Sequence, residues 1–185
     1  MKGTEQRSLD ATPRRLGRGA AACVAFAALC LPPPLLAQSR SCVLTPSKSD
    51  PSEQILRCGD DLIIHAPKGT VFEPAAPQEP PAEIRLDSGP LLIEFHPTPQ
   101  HPRFQILTPH AVAAVRGTKW AMEVSAERSS TLVVAGAVTV GRPGSDQTVV
   151  LGPGEGADVS PGTDPVTAKQ WSKERVRALL ARFSE

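Results

Sequence analysis

A chain of 185 residues has the length of one domain once any leader is removed. Its formal net charge of +1, with no Lys/Arg run beyond the first residues, excludes binding to nucleic acid by counterion release from a clustered basic surface. Twenty prolines and fourteen glycines exclude a helix-rich fold, because both disrupt helix interiors, and favour an all-β fold with many corners.

In chain order, residues 1–37 read as a signal peptide. Arg14, Arg15 and Arg18 form a positive n-region, and the chain is uncharged from Gly19 to Leu36. Pro32, Pro33 and Pro34 end the apolar run, and Leu35-Leu36-Ala37 offers a small residue at the cleavage edge. The run before the prolines is about 13 residues, short of the roughly 20 that a spanning helix needs. The expected mature chain therefore has no membrane span and is periplasmic or secreted. Arg14-Arg15 is compatible with general or twin-arginine export, and neither Cys30 nor Cys42 follows a lipobox.

Cleavage removes Cys23 and Cys30 and leaves Cys42 and Cys58. In an oxidising compartment that pair is expected to form a disulfide. It would close a loop of about fifteen residues, which in the chain-entropy model is worth about 3 kcal/mol. A metal site lacks the close Cys-x2-Cys spacing, and no histidine precedes His65.

Residues 38–165 are expected to be the β domain, beginning with a polar extension tied down by Cys42. Ile55–Cys58 and Leu62–Ile64 flank Gly59-Asp60-Asp61 as a hairpin. Residues 73–82, with Pro74, Pro77, Pro80 and Pro81, read as an extended surface loop. Leu86 to Phe95 reads as two strands with a turn between them, and Phe104 opens another strand. Thr118, Trp120, Met122 and Val124 then alternate with Lys119, Ala121, Glu123 and Ser125, giving one buried and one wet face. Ala113 and Val115 carry the apolar face in the opposite phase, so a bulge or bend is expected at Arg116-Gly117. Leu132, Val134, Val138 and Val140 read as the next strand, with Gly136 at a close approach. Val149–Leu151 and Ala157–Val159 flank the turn at Gly152–Gly156. Residues 166–185 read as a closing amphipathic helix. Thr167 and Gln170 have capping-box spacing, Val166 and Trp171 fit a staple, and Val176, Leu179, Leu180 and Phe183 recur at helical spacing.

Several of these residues together resemble one family. Phe104-Gln-Ile-Leu-Thr-Pro-His-Ala-Val-Ala-Ala-Val-Arg-Gly-Thr-Lys-Trp120 is similar to the signature of the FecR domain. Val133-Val-Ala-Gly-Ala-Val-Thr-Val140 and Leu151-Gly-Pro-Gly-Glu155 follow in the family's order, and Leu86–Ile93 resembles its upstream strand. The likeness covers about residues 84–160. It implies a periplasmic, all-β, solenoid-like stack of short strands. In the founding members this domain hangs from a membrane helix and relays transporter occupancy to a sigma factor. Here no sigma-binding domain, internal span or transporter-contacting subdomain is recognised in the sequence, so the domain is expected to carry over without the circuit.

The fold expected is therefore an all-β, solenoid-like or sandwich-like stack of short strands with one short C-terminal helix. Arg116, Gly117, Thr118, Trp120, Gly136, Gly154 and Glu155 are expected to be structural, with Arg116 pairing Glu94 or Glu123. His65, His96, His101 and His110 form no ligand set, and no nucleophile elbow or close acidic pair is present. No enzyme, cofactor or metal is expected. The expected role is binding of a protein partner or, alternatively, an envelope polysaccharide. The polysaccharide role would call for a stretch of exposed aromatics; only Phe72, Phe95 and Phe104 are available, which slightly disfavours it. N-terminal sequencing of the exported protein should read from Gln38; an intact Met1 in a cytoplasmic fraction would refute the leader.

Overall fold

The computed structural model describes residues 42–73 and 83–184. The leader at 1–37, and all of the proline-rich loop at 73–82 except Glu73, lie outside those residues. The strands are β1 (Cys42–Pro46), β2 (Gln54–Cys58), β3 (Leu62–Ala66), β4 (Val71–Glu73), β5 (Glu83–Phe95), β6 (Phe104–Leu107) and β7 (Val112–Val115). They continue as β8 (Thr118–Val124), β9 (Ser129–Ala135), β10 (Val138–Gly141), β11 (Thr148–Leu151), β12 (Glu155–Val159) and β13 (Lys169–Gln170), before helix α1 (Lys173–Leu180). They make two layers. The first sheet runs β1-β2-β3-β5-β8-β9-β12-β13, antiparallel throughout. The second runs β4-β5-β6-β7-β10-β11, with β5 and β6 parallel. Hairpins alternate between the layers along the chain, as the stacked all-β expectation requires.

Two local expectations are corrected, and the bend expected at Arg116-Gly117 is present. No turn interrupts Leu86–Phe95. One strand, β5, runs through and changes partners at Gly89, pairing β4 and β6 before it and β3 and β8 after it. Strand-forming residues on both sides keep the backbone extended, so Gly89 becomes a bend within a shared strand. Next, the phase switch at Arg116-Gly117 is a corner between layers, since β7 belongs to the second sheet and β8 to the first. The bulge lies on β9: Lys119 faces Ala135 whereas Trp120 faces Val133, leaving Val134 as the extra residue. Finally, residues 132–140 are two strands rather than one, parted by Gly136 and Ala137.

The corner explains the Arg-Gly-Thr motif. Gly117 sits at φ +85°, where a Cβ would stand 3.0 Å from Pro97 Cδ. Gly136, at φ +87°, closes the neighbouring corner, and a Cβ there would meet the Gly117 carbonyl oxygen at 2.6 Å. The Thr118 hydroxyl donates to the Ala137 carbonyl at 3.0 Å and ties the two corners together. Arg116 pairs with neither expected carboxylate. Lys119 Nζ takes Glu94 at 2.9 Å, and Arg182 takes Glu123.

The main core gathers inward residues of both sheets, among them Ile64, Leu91, Ile93, Phe104, Ile106, Val138 and Val140, with Trp120 fully buried at its centre. A second cluster lies on the far side of the first sheet. There Leu92, Ala121 and Leu132 pack under Trp171, Leu179 and Phe183. Ala121 is therefore buried, not wet, because the C-terminal segment covers it. The helix also starts later than its capping-box spacing suggests. Lys169 and Gln170 pair with β12, the Gln170 amide donates to the Gly154 carbonyl at 2.9 Å, and Ser172 is the N-cap. The staple pairing is absent: Trp171 lies in the second cluster and Val166 against the main core. Gly156 permits this course, since a Cβ there would come within 2.3 Å of the Trp171 ring.

Polar contacts hold the helix down. Arg175 stacks on Trp171 at 3.4 Å from the ring centroid and grips both Asp158 oxygens, at 2.5 and 2.9 Å. After the helix, Ser184 donates its N–H to buried Glu53 at 3.1 Å, and His65 Nδ1 lies 3.4 Å from the other carboxylate oxygen. A disulfide joins Cys42 to Cys58 and fixes edge strand β1 to β2, with Cα atoms 4.1 Å apart.

Two outcomes follow. Gly117→Val forces a β-branched residue to positive φ beside Pro97, at a cost of about 1–3 kcal/mol, and should lower the melting temperature by several degrees. Lys119→Ala removes a partly exposed ion pair with Glu94 and should change it little; equal melting of the two variants would refute the corner role. At Asp158, burial pushes the carboxyl up, but hydrogen bonds from Arg175 and Ser130 and the charges of Arg175 and Arg128 outweigh it and hold the pKa below its usual value. A depressed carboxylate stabilises the fold above its unfolded pKa, and that stabilisation is lost as pH falls through the folded value. Denaturant titrations should show Asp158→Asn less stable than wild type at neutral pH. The gap should close below roughly pH 4, the ordinary aspartate range; a gap that does not depend on pH would contradict this.

Candidate functional site

The two sheets present different outer faces. That of the first sheet is sealed over β5, β8 and β9 by Trp171, Leu179 and Phe183. Over the second sheet, no element among the described residues packs. Its outward side chains follow from strand alternation. Phe104 and Ile106 point into the core, so Gln105 points out; Ala113 and Val115 point in, so Ala114 points out; Val138 and Val140 point in, so Thr139 points out. Pairing aligns these residues in one row across five strands: Glu83, Gln105, Ala114, Thr139 and Val150. The Gln105 amide donates to the Glu83 carboxylate, and Val150 is 62% exposed.

A groove of about 570 Å³ runs over the part of this row from Glu83 to Thr139 and stops short of Val150. Its floor is small or polar: Gln105, Ala114, Ala137 and Thr139. Arg103 and Arg116 flank it. Phe104 is opposite Val115 in the β6–β7 hairpin, and Arg103 and Arg116 each lie one residue beyond that pair, at the hairpin's open end. Both are exposed, and neither makes a hydrogen bond or ion pair with a described residue.

The residues singled out in the sequence divide accordingly. Gly117, Thr118 and Gly136 build corners, and Trp120 fills the core. Gly154 donates to the Val133 carbonyl at 2.9 Å and accepts from the Trp171 N–H at 3.1 Å. The Glu155 carboxylate accepts the Gly152 N–H at 2.7 Å and fixes the turn before β12. Cys42 and Cys58 lie in the first sheet. Only Arg116 belongs to the groove. Arg103, Gln105, Ala114 and Thr139 escaped notice in the sequence because none stands out singly. The outward phase of three successive short strands was the available signal.

The histidines are not drawn together. His65 lies beside Glu53, His101 Nδ1 is 3.4 Å from Asp61, and His110 contacts the Ala126 carbonyl at 3.3 Å. Among the described residues, no group of three or more His, Cys, Asp or Glu side chains is placed to hold a metal ion.

The family model described as FecR protein matches residues 53–139, so the chain carries a FecR domain over that span. The match begins at Glu53, upstream of the motif-bearing strands, and ends at Thr139 within β10. No curated protein matches the chain. Two crystal structures of a "putative anti-sigma factor" from Parabacteroides distasonis share the fold. One has a TM-score of 0.53 at 17% identity, the other 0.52 at 18%. In both, the similarity covers 77% of this chain and 61% of that one, so the chain spans less than two thirds of the length of these neighbours.

Proposed function

We propose that this FecR-domain chain is an exported, non-catalytic sensing or regulatory module that binds a protein partner through the outer face of its second sheet. The observation that carries the reading is the contrast between the faces: one sheet is sealed by its own C-terminal segment, and the other is grooved, with no element among the described residues over it. The FecR domain and the anti-sigma description of its structural neighbours support a regulatory role. The leader pattern supports export. The Cys42–Cys58 disulfide agrees with an oxidising compartment, where such bonds persist. No helix among the described residues is long and apolar enough to cross a membrane.

Polysaccharide binding is the weaker reading. Sugar rings favour exposed aromatic platforms, and here Trp120, Trp171, Phe95, Phe104 and Phe183 are all buried. Phe72, half-buried on edge strand β4, lies outside the groove.

A photoreactive amino acid at Gln105 or Thr139 should crosslink the exported protein to a protein partner in living cells. The same group at exposed Arg57, on the first sheet, should not. Equal labelling from Arg57, or no protein adduct from either groove position, would refute the assignment. Adducts resistant to protease but cleaved by glycosidases would favour polysaccharide.

A further inference from the structure

We infer that the groove of the second sheet recognises an acidic, extended peptide segment of a partner, with Arg103 and Arg116 together binding its carboxylates. The inference deepens the proposed function and rests on its reading of this face as a protein-binding one.

Arg103 and Arg116 both line the groove, one residue beyond the last paired positions of the β6–β7 hairpin, and both are exposed. Four other arginines meet a carboxylate, Arg175 and Arg128 at Asp158, Arg182 at Glu123 and Arg85 within 4.0 Å of Glu73, whereas exposed Arg57 on β2 has none among the described residues and Arg142 and Arg177 meet only backbone carbonyls. At the groove mouth no described carboxylate meets Arg103 or Arg116. Among the described residues, Glu83 is the only acid lining the groove, and it is engaged by Gln105. An incoming anion would take up both guanidinium groups, whose planar forks suit carboxylate oxygens.

The floor favours an extended chain as the body of that ligand. Ala114, Ala137 and Thr139 present little side chain, so a backbone can approach the sheet closely. Exposed Val150, at the far end of the row on edge strand β11, offers an apolar contact beyond the arginines. A bulky or aromatic-dependent ligand would find no platform there.

The test uses the purified protein and a fluorescein-labelled eight-residue peptide alternating Glu and Thr, read by fluorescence anisotropy at low salt. The peptide should bind, a Gln/Thr counterpart should not, and added salt should weaken binding. Removing a charge-assisted contact should weaken affinity about tenfold or more, so Arg103→Ala and Arg116→Ala should each show this loss and the double variant more. Arg116→Glu should abolish binding, and Lys119→Ala, outside the groove, should leave it unchanged. All variants should melt as wild type, because both arginines are exposed and unpaired. Absence of peptide binding, or binding indifferent to both arginines, would overturn the inference. So would tighter, arginine-dependent binding of polygalacturonate that the peptide cannot displace, since it would assign the groove to a carboxylated glycan. The crosslinking experiment separates the two levels. A protein adduct from Gln105 without acidic-peptide binding would leave the proposed function standing and remove only this recognition chemistry.

Discussion

A chain that alternates between two sheets must turn a corner at every crossing, and these corners govern the molecule. Gly117 and Gly136 show the constraint most sharply, because each corner leaves no room for a Cβ and the two pack against one another. The same left-handed backbone recurs at the other passages between layers, at Gly69, Gly89 and Gly154. Because side chains alternate with a strict period of two, the position of a corner fixes which residues of the next strand face inward. Thr118, directly after the corner, starts the inward phase of β8, and Trp120 reaches the core centre two residues later. Arg116, directly before it, is left outside. The Val-Arg-Gly-Thr run thus contains an architectural half and an exposed half, and the geometry separates them without further assumption.

The strands were legible where alternation was clean. β2 and β3, β6, β8, β11 and β12 lie where their apolar residues place them. Misreadings arose where one local signal had two physical uses. Gly89-Pro90 carries the chemistry of a turn, yet it bends a continuous strand whose halves pair in different sheets. The Thr167–Gln170 spacing suits a capping box, yet Gln170 bonds to the Gly154 carbonyl and Ser172 caps the helix. Such choices depend on partners distant in sequence, which local pattern does not contain. The Glu53–Ser184 contact is of the same kind, joining residues 131 apart. The groove was illegible for a different reason. Gln105, Ala114 and Thr139 become neighbours only once register is known, and Arg116 could not be distinguished in the sequence from an arginine with a structural carboxylate.

The two closures of the first sheet act at different places. Asp158, Arg175 and Trp171 fix the start of the helix against β12, while Glu53 and Ser47 hold Ser184 beyond its end. Between these anchors, Leu179 and Phe183 bury apolar surface over β5, β8 and β9. Burying each such side chain contributes about 1.5–3 kcal/mol, more than an exposed ion pair supplies. The polar contacts therefore set position while the apolar ones supply most of the hold.

Which sheet is covered follows from composition of the strands themselves. Strands of the first sheet carry near-continuous apolar runs, Leu91-Leu92-Ile93 on β5, Trp120-Ala121-Met122 on β8 and Leu132-Val133 on β9, and all of these residues are buried. A strand apolar on both faces requires cover on both faces. Strands β6 and β7 of the second sheet alternate, with buried residues at every second position, and β10 puts Thr139 outward between buried Val138 and Val140. Such strands have one core to fill and a lighter apolar load on the other side, where part-exposed Leu107, Val112 and Ala114 sit beside polar Gln105 and Thr139. The open face is thus written into the side chains of β6, β7 and β10 rather than left over by a short C-terminal segment. A face that needs less cover for stability can keep small residues and two uncompensated arginines for a ligand.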